Sequence, residues 1–146
     1  MKKIAILLFA CSFFLFSCGG GSKVVPVSEK IKKNWSANTV KEGSAIVYSK
    51  GAATNTRPGY SGFQIRLLSS PAVTYIEFDG NSFSGQYEVV GDTKLVLKNL
   101  NPAPTGTSGT IEFTIDSITD TQLIVTRTSA SAKTGGTINT YTLVTQ

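Results

Sequence analysis

Apolar and polar residues alternate along most of the chain beyond residue 35, and this period of two is the feature that most restricts the fold. Phe63, Ile65 and Leu67, for example, alternate with Gln64 and Arg66. Such alternation gives each strand one face for a core and one face for water. The pattern recurs at 45–49, 75–79, 83–89, 94–98 and 110–116, and the segments 121–128 and 137–145 are rich in Thr, Val, Leu, Ile and Tyr. The sequence therefore predicts an all-β domain.

Short turn signals separate these segments, which indicates that successive strands pair as hairpins. Tight turns are predicted at 79–82, 91–92 and 117–120, and longer Gly/Pro/Ser/Thr-rich connections at 51–61, 99–109 and 129–136. A meander of eight or nine strands must close or leave two exposed edges, and closure removes both edges. We expect an up-and-down antiparallel barrel of about eight strands. One helix is predicted at 28–33, with Ser28 as its N-cap and with Ile31 and Trp35 on one face.

The first residues have the composition of an export signal. Lys2 and Lys3 precede a mostly apolar run at 4–16, which is shorter than the roughly 20 residues that a membrane-spanning helix needs. Cys18 follows Leu15-Phe16-Ser17, and this segment resembles the lipobox of bacterial lipoproteins. The resemblance implies cleavage before Cys18, lipidation of that residue, and a membrane anchor. Cys11, after Leu8-Phe9-Ala10, is the alternative lipidation site.

We therefore divide the chain into a signal peptide at 1–17, a lipidated cysteine with a flexible tether at 18–27, and a β-barrel domain at 28–146. By resemblance to known lipoprotein sorting, the protein is expected in the bacterial cell envelope, lipid-anchored to the outer membrane and facing the periplasm. The formal net charge is +5, and Lys2 and Lys3 contribute two of these charges. Since no basic stripe with interleaved aromatic residues occurs, nucleic-acid binding is not expected.

The chemistry available to the domain is limited. The chain has no histidine, and lipidation of Cys18 would leave no free thiol beyond the signal. Zinc sites and the usual nucleophile–base pairs cannot be built without these residues. Two carboxylate pairs, Glu77 with Asp79 and Glu112 with Asp116, fall on the polar face of the predicted strands. Charged side chains are expected on a face exposed to water, so these pairs do not indicate a catalytic site. We expect no enzymatic activity, no cofactor and no metal.

Two longer segments and an Asn-Trp pair suggest a family. Asn34-Trp35, the segment 75–97 (YIEFDGNSFSGQYEVVGDTKLVL) and the segment 113–125 (FTIDSITDTQLIV) resemble the bacterial lipocalin-like domain. The resemblance implies that Trp35 closes the barrel floor and that an arginine from a late strand packs across its ring. Arg127 is the candidate for that arginine. An alternative places Arg127 at a strand end in solvent.

The same resemblance implies a lumen that holds a small apolar ligand such as a lipid or fatty acid. Its predicted lining residues are Phe63, Ile65, Ile76, Phe78, Phe83, Tyr87, Leu95, Ile111 and Phe113. A small barrel also packs such residues against each other without a ligand. The function we predict is thus that of a membrane-anchored lipoprotein that binds a small apolar ligand in the barrel lumen. The alternative that stays open is a non-catalytic structural or protein-interaction role with a filled barrel. For the second role, the most partner-like residues are Arg57, Pro58 and Tyr60, and the partner itself is not identified.

Overall fold

The computed structural model describes residues 24–146, which contain one short helix followed by nine strands. The predicted signal peptide, Cys11, Cys18 and most of the tether lie outside the described residues. Helix α1 spans Val27–Lys30, one position earlier than predicted, and Pro26 takes the N-cap position instead of Ser28. The helix is a single turn and has no buried residue of its own, but Ile31, directly after it, is fully buried.

The strands follow one another along the chain with short connections. They are β1 Asn34–Glu42, β2 Ala45–Ser49, β3 Gln64–Arg66, β4 Ala72–Ile76, β5 Ser82–Val90, β6 Lys94–Asn101, β7 Ile111–Ile118, β8 Gln122–Arg127 and β9 Asn139–Thr145. All three predicted tight turns are present, between β4 and β5, β5 and β6, and β7 and β8. At the second of them Gly91 and Asp92 both have positive φ, near +58° and +57°, the conformation that hairpins of two residues require.

All strand pairs are antiparallel, and the sheet closes on itself. From β3 to β9 each strand pairs with the next, β3 also pairs with β1, and β1 pairs with β9 to complete the ring. The ring has eight strands, so the predicted all-β, up-and-down barrel is confirmed. Closure leaves no unpaired edge in the ring, which is the physical reason a meander of this length closes.

Of the nine described strands, β2 is the one that is not part of the eight-stranded ring. It pairs with the second half of β1, at 39–42, while β3 pairs with the first half of the same edge, at 34–36. The long connection at 50–63 lies between β2 and β3 and contains a short 3₁₀ helix at Pro58–Gly62. The two other long connections, 102–110 and 128–138, are also where the sequence predicts them.

The barrel has two distinct ends. We call the end at which β1 begins, near Trp35, the floor, and the end at which β1 finishes, at Glu42, the distal end. Because neighbouring strands alternate in direction, the turn at 77–81 and the connections 50–63, 102–110 and 128–138 all belong to the distal end. Helix α1 and the start of the described chain belong to the floor. A single core of buried apolar residues runs between the two ends.

Candidate functional site

Most of the predicted lumen residues point into the barrel and are buried. These residues, all at most 5% exposed, are Phe63, Ile65, Phe83, Tyr87, Leu95, Ile111 and Phe113. They lie on four strands, β3 with the residue just before it, β5, β6 and β7, and the alternation correctly identifies their inward face. Their role in binding a ligand is a separate question, which depends on whether space remains between them.

The predicted inward face of β4 is wrong. Tyr75 and Glu77 point inward and are nearly fully buried, whereas Ile76 lies on the other face and is only partly buried. Phe78 follows the strand and packs against the core from the turn while staying partly exposed. Glu77, expected on the solvated face, is therefore a buried carboxylate.

Aromatic rings fill the distal half of the barrel. Phe63 stacks on Tyr141, with ring centroids 4.6 Å apart and an interplanar angle of 10°. Tyr75 meets Phe63 edge-on at 5.6 Å, and Phe113 meets Tyr141 edge-on at 6.0 Å. These are the separations and angles of favourable aromatic pairs in direct contact. The rings that would line a hollow lumen pack against one another.

Tyr60 closes the distal end from the connection between β2 and β3. Its ring is fully buried and lies 4.9 Å from Phe78. Its hydroxyl donates to Glu42 at 2.9 Å, and the Arg57 side chain donates to the same carboxylate at 2.8 Å. Burial, followed by the nearby Tyr141 and by Glu42, raises the pKa of Tyr60, so the hydroxyl stays protonated and acts as a donor. The sequence did not predict Tyr60 as a core residue, because Tyr60 lies in a Gly/Pro-rich connection where apolar and polar residues do not alternate.

A glycine lets the Tyr60 segment approach the barrel. At Gly59 an added Cβ would lie 2.4 Å from the carbonyl oxygen of Phe78. Since real Cβ atoms do not approach an oxygen that closely, only glycine fits here without a shift of the backbone. Glycine at this position thus allows the connection to seat Tyr60 in the barrel.

At the floor, Trp35 is fully buried and its indole N–H donates to the carbonyl of Ile31 at 2.9 Å. The cation above its ring is Lys33, with Nζ 5.9 Å from the centroid. The expected contact with Arg127 is wrong. Trp35 pairs with Thr145, and the N–H of Thr145 donates to the carbonyl of Thr121, so Trp35 lies beside the beginning of β8. Arg127 is the last residue of β8 and therefore lies at the opposite end of the barrel.

Arg127 does point inward, at the distal end. It is 5% exposed, and its Nε has no hydrogen-bond partner among the described residues. Its charge acts on the hydroxyls of Tyr75 and Tyr141. Burial raises the pKa of both tyrosines, and the Arg127 charge opposes part of that rise. Its cross-strand neighbour on β7 is Phe113.

A lysine from the connection at 128–138 reaches two carboxylates across the distal end. Lys133 Nζ lies 2.5 Å from Glu77 Oε2 and 2.6 Å from Asp79 Oδ2, and 5.7 Å from the ring of Phe83. Burial opposes its charge, yet the hydrogen bonds to both carboxylates raise the pKa of Lys133. For Asp79, burial likewise acts upward, but the bonds from Lys133 and Asn81 lower its pKa. We call this contact the Lys133 latch.

Two clefts lie on the outside of the floor, with volumes of about 390 and 450 Å³. Both include Asn34 and Leu68, and none of the predicted lumen residues lines either cleft. Within 24–146 no three His, Cys, Asp or Glu side chains come together as a metal site. Over the same residues, no helix has the length and apolar content to cross a membrane.

No protein-family model matches the chain, and no curated protein matches it either. Among solved structures, it is similar to a lipocalin-like protein from Bacteroides uniformis, with 12% sequence identity and a TM-score of 0.48. That alignment covers 80% of this chain and 99% of the other. A second similar structure is an uncharacterized protein from Bacteroides eggerthii, at 11% identity and a TM-score of 0.45, covering 78% of this chain and 98% of that one. The barrel described above rests on the strand pairing of this chain itself.

Proposed function

We propose that this protein is a non-catalytic scaffold in the bacterial cell envelope, with a side-chain-filled barrel that presents its distal connections to a partner. The observation that carries the proposal is the packed interior. Tyr141 packs against both Phe63 and Phe113 where a lumen ligand would lie. Of the two functions that the sequence leaves open, this packing favours the structural or protein-interaction role over a lipid or fatty acid held in the lumen.

The position of the chain's start supports a distal recognition surface. The described chain enters at the floor, through α1, and a tether that continues from there would place a membrane on the floor side. The distal connections then face away from the membrane, and loops on a rigid scaffold are common recognition elements. Tyr60 is buried and is not available to a partner, so the partner-like group of the sequence interpretation is reduced to Arg57 and Pro58.

Two exposed apolar side chains add to that surface. Ile46 on β2 and Ile138 before β9 are 59% and 41% exposed. Both belong to the distal end, since Ile46 pairs with Lys41 and the carbonyl of Ile138 accepts from Gly43. Apolar side chains at the end away from the proposed anchor are suited to contact with a protein partner.

A ligand assay tests the filled barrel against the hollow one. Residues 22–146 produced without the anchor are extracted, the extract is analysed by mass spectrometry, and the protein is titrated with a fluorescent fatty acid. We expect no co-purified lipid and no saturable binding. A stoichiometric lipid in the extract together with saturable binding would reject the scaffold and favour the lumen-ligand function.

Lipid attachment at Cys18 is the second part of the proposal, and it has a matched control in the same segment. The full chain is expressed in a bacterial host and labelled with a clickable palmitate analogue, beside the variants Cys18→Ser and Cys11→Ser. We expect Cys18→Ser to lose the label and leave the membrane fraction, and Cys11→Ser to keep both. The reverse result would assign the lipid to Cys11. If the wild type and both variants all lack the label, the chain is not lipidated and this part of the proposal is wrong.

A further inference from the structure

The floor carries the two most exposed large apolar side chains of the described residues. Val24 is 86% exposed and Leu68 is 63% exposed, and Val25, next to Val24, is 49% exposed. Val24 and Val25 come shortly before α1, and Leu68 follows the end of β3. A single exposed apolar side chain is common, but several at one end of a domain, bordered by polar groups, are typical of a contact surface. These side chains therefore point to a contact made by the floor.

Three cations at the same end have no acidic partner. Among the described residues, Lys30, Lys33 and Arg66 take part in no ion pair. Lys33 donates to the backbone carbonyl of Asp120, and Arg66 Nε donates to the side-chain oxygen of Gln64 at 2.7 Å. Both of these acceptors are uncharged. The positive charge at the floor is therefore not neutralised by a carboxylate within ion-pair distance.

The fold brings these cations to both sides of Leu68. Arg66 pairs with Asn34 across β3 and β1, which places the end of β3 beside the residue that follows Lys33. Arg66 and Leu68 line the cleft of about 390 Å³, and Lys33 and Leu68 line the cleft of about 450 Å³. Asp120 is the one acidic side chain that lines either cleft. Leu68 thus lies between two clefts, each with a cation in its wall.

The proposed lipid anchor keeps the floor close to a bilayer. Six residues, 18–23, separate Cys18 from Val24, the first described residue. Six residues span at most about 20 Å even when fully extended. Because the described chain starts at the floor, a domain held at this distance meets the bilayer with its floor. This step rests on the lipid attachment in the proposed function.

The three apolar side chains and the three cations form a surface that we call the floor patch. Its residues are Val24, Val25, Lys30, Lys33, Arg66 and Leu68. We propose that the floor patch docks on the surface of an anionic phospholipid bilayer. The apolar side chains enter the headgroup region, and the cations beside them attract anionic lipids. Docking holds the barrel upright, so that the distal connections point away from the membrane.

The test uses the full chain, lipidated and processed by a bacterial host and then reconstituted into nanodiscs. One set of discs contains phosphatidylcholine alone, and the other contains phosphatidylcholine mixed with phosphatidylglycerol. A nitroxide label at Ser69→Cys reports on the floor beside Leu68, and a label at Ser44→Cys reports on the distal end. Both serines are exposed, and the lipid on Cys18 keeps that residue from being labelled. Collisions with a water-soluble nickel complex measure how far lipid shields each label.

We expect strong shielding of the floor label in the anionic discs and much weaker shielding in the neutral discs. The distal label should stay accessible to the nickel complex in both. Equal accessibility of the floor label in the two kinds of disc would overturn the proposal, because lipid charge would then have no part in the contact.

Matched charge variants connect the docking to the cations. Lys30→Gln combined with Arg66→Gln removes two charges from the floor patch. Lys41→Gln combined with Lys50→Gln removes two exposed charges that lie outside it. Since each basic side chain near an anionic surface strengthens the attraction, the first pair should lower the ratio of docked to undocked protein by about tenfold or more. The second pair should leave the ratio unchanged, and an equal effect of the two pairs would overturn the proposal.

The failure of docking and the failure of the anchor give different results. A lipidated chain whose floor label stays accessible in both kinds of disc would keep the anchor and reject the docking. If the chain is not lipidated, the wild type is instead floated with vesicles of the two lipid compositions. Flotation with the anionic vesicles alone would support docking without an anchor. Absent or equal flotation with the two kinds of vesicle would overturn the docking as well.

Discussion

Truncation of Phe113 tests the filled barrel through stability. This ring is fully buried on β7, opposite Leu95 and Arg127, and meets Tyr141 edge-on at 6.0 Å. Phe113→Ala removes the ring from a region where its neighbours are aromatic rings held by strands on both sides, so the space cannot collapse fully. Substitutions of this kind cost about 3–5 kcal/mol of unfolding free energy. For a domain of this size that loss corresponds to a fall of about 10–20 °C in melting temperature.

The chain contains a convenient reporter for the measurement. Trp35 is the single tryptophan and is fully buried at the floor, away from the substitution. Its fluorescence in a urea titration, with far-UV circular dichroism beside it, gives the unfolding free energy of wild type and variant. Leu68→Ala, at a side chain that is 63% exposed, is the control and should change stability by less than about 0.5 kcal/mol. A cost below about 1 kcal/mol for Phe113→Ala would mean that the ring borders open space, and the filled interior would be refuted.

Three further predictions concern β4, the Lys133 latch and the Tyr60 segment. In the same urea titration, Tyr75→Ala should lower the unfolding free energy by about 3–5 kcal/mol and Ile76→Ala by at most about 1 kcal/mol. A larger loss for Ile76→Ala than for Tyr75→Ala would contradict the inward orientation of Tyr75. The carboxyl of Asp79 has a pKa below its usual 3.8, so its contribution is present above that pH and is lost as the pH falls through the lower folded value. The pKa of Lys133 lies above 10.5, so its contribution is complete below that pH and is lost only at higher pH. The melting-temperature difference between wild type and Lys133→Met should therefore shrink below about pH 3.8 and hold between pH 5 and 8, and a constant difference down to pH 2 would argue against the latch. Gly59→Ala should lower the melting temperature, because its Cβ would meet a carbonyl oxygen at 2.4 Å; an unchanged value would mean that this connection is not tightly seated.

The sequence predicted the architecture because the architecture depends on local signals. Alternation marked the strands, Gly-rich pairs marked the turns, and the disadvantage of open edges implied closure. Turn residues such as Gly91 and Asp92 carry their own conformational preference, so no knowledge of distant residues is needed. The extra strand β2 was not distinguished from the ring strands, because its place depends on which half of β1 it shares with β3.

The face of β4 could not be predicted for a different reason. The alternation Tyr-Ile-Glu-Phe fits either face, and hydrophobicity alone selects Ile76 and Phe78 over Tyr75 and Glu77. The opposite arrangement is possible because Lys133, 56 positions away in the sequence, supplies a counter-charge to Glu77. The residues around Glu77 in the sequence give no indication that its partner is Lys133.

Arg127 shows how far the family resemblance extends. The alternation of Leu123, Val125 and Arg127 correctly favours an inward side chain, and the structure selects that alternative over the solvent-exposed one. The resemblance nevertheless assigns the residue to the floor, while the register of β8 and β9 places it at the distal end. Register depends on bulges and turns throughout the sheet, such as the irregularity between Ile115 and Ser117, which a pattern of period two does not reveal.

A crystal structure of the protein, produced in a bacterial host and crystallised without added ligand, shows directly whether side chains or a ligand fill the barrel. We expect continuous side-chain density across the distal half of the barrel, with Phe63 stacked on Tyr141 at about 4.6 Å. Elongated non-protein density running between these rings and Phe113 would contradict the filled interior, because the barrel would then hold a ligand in that place.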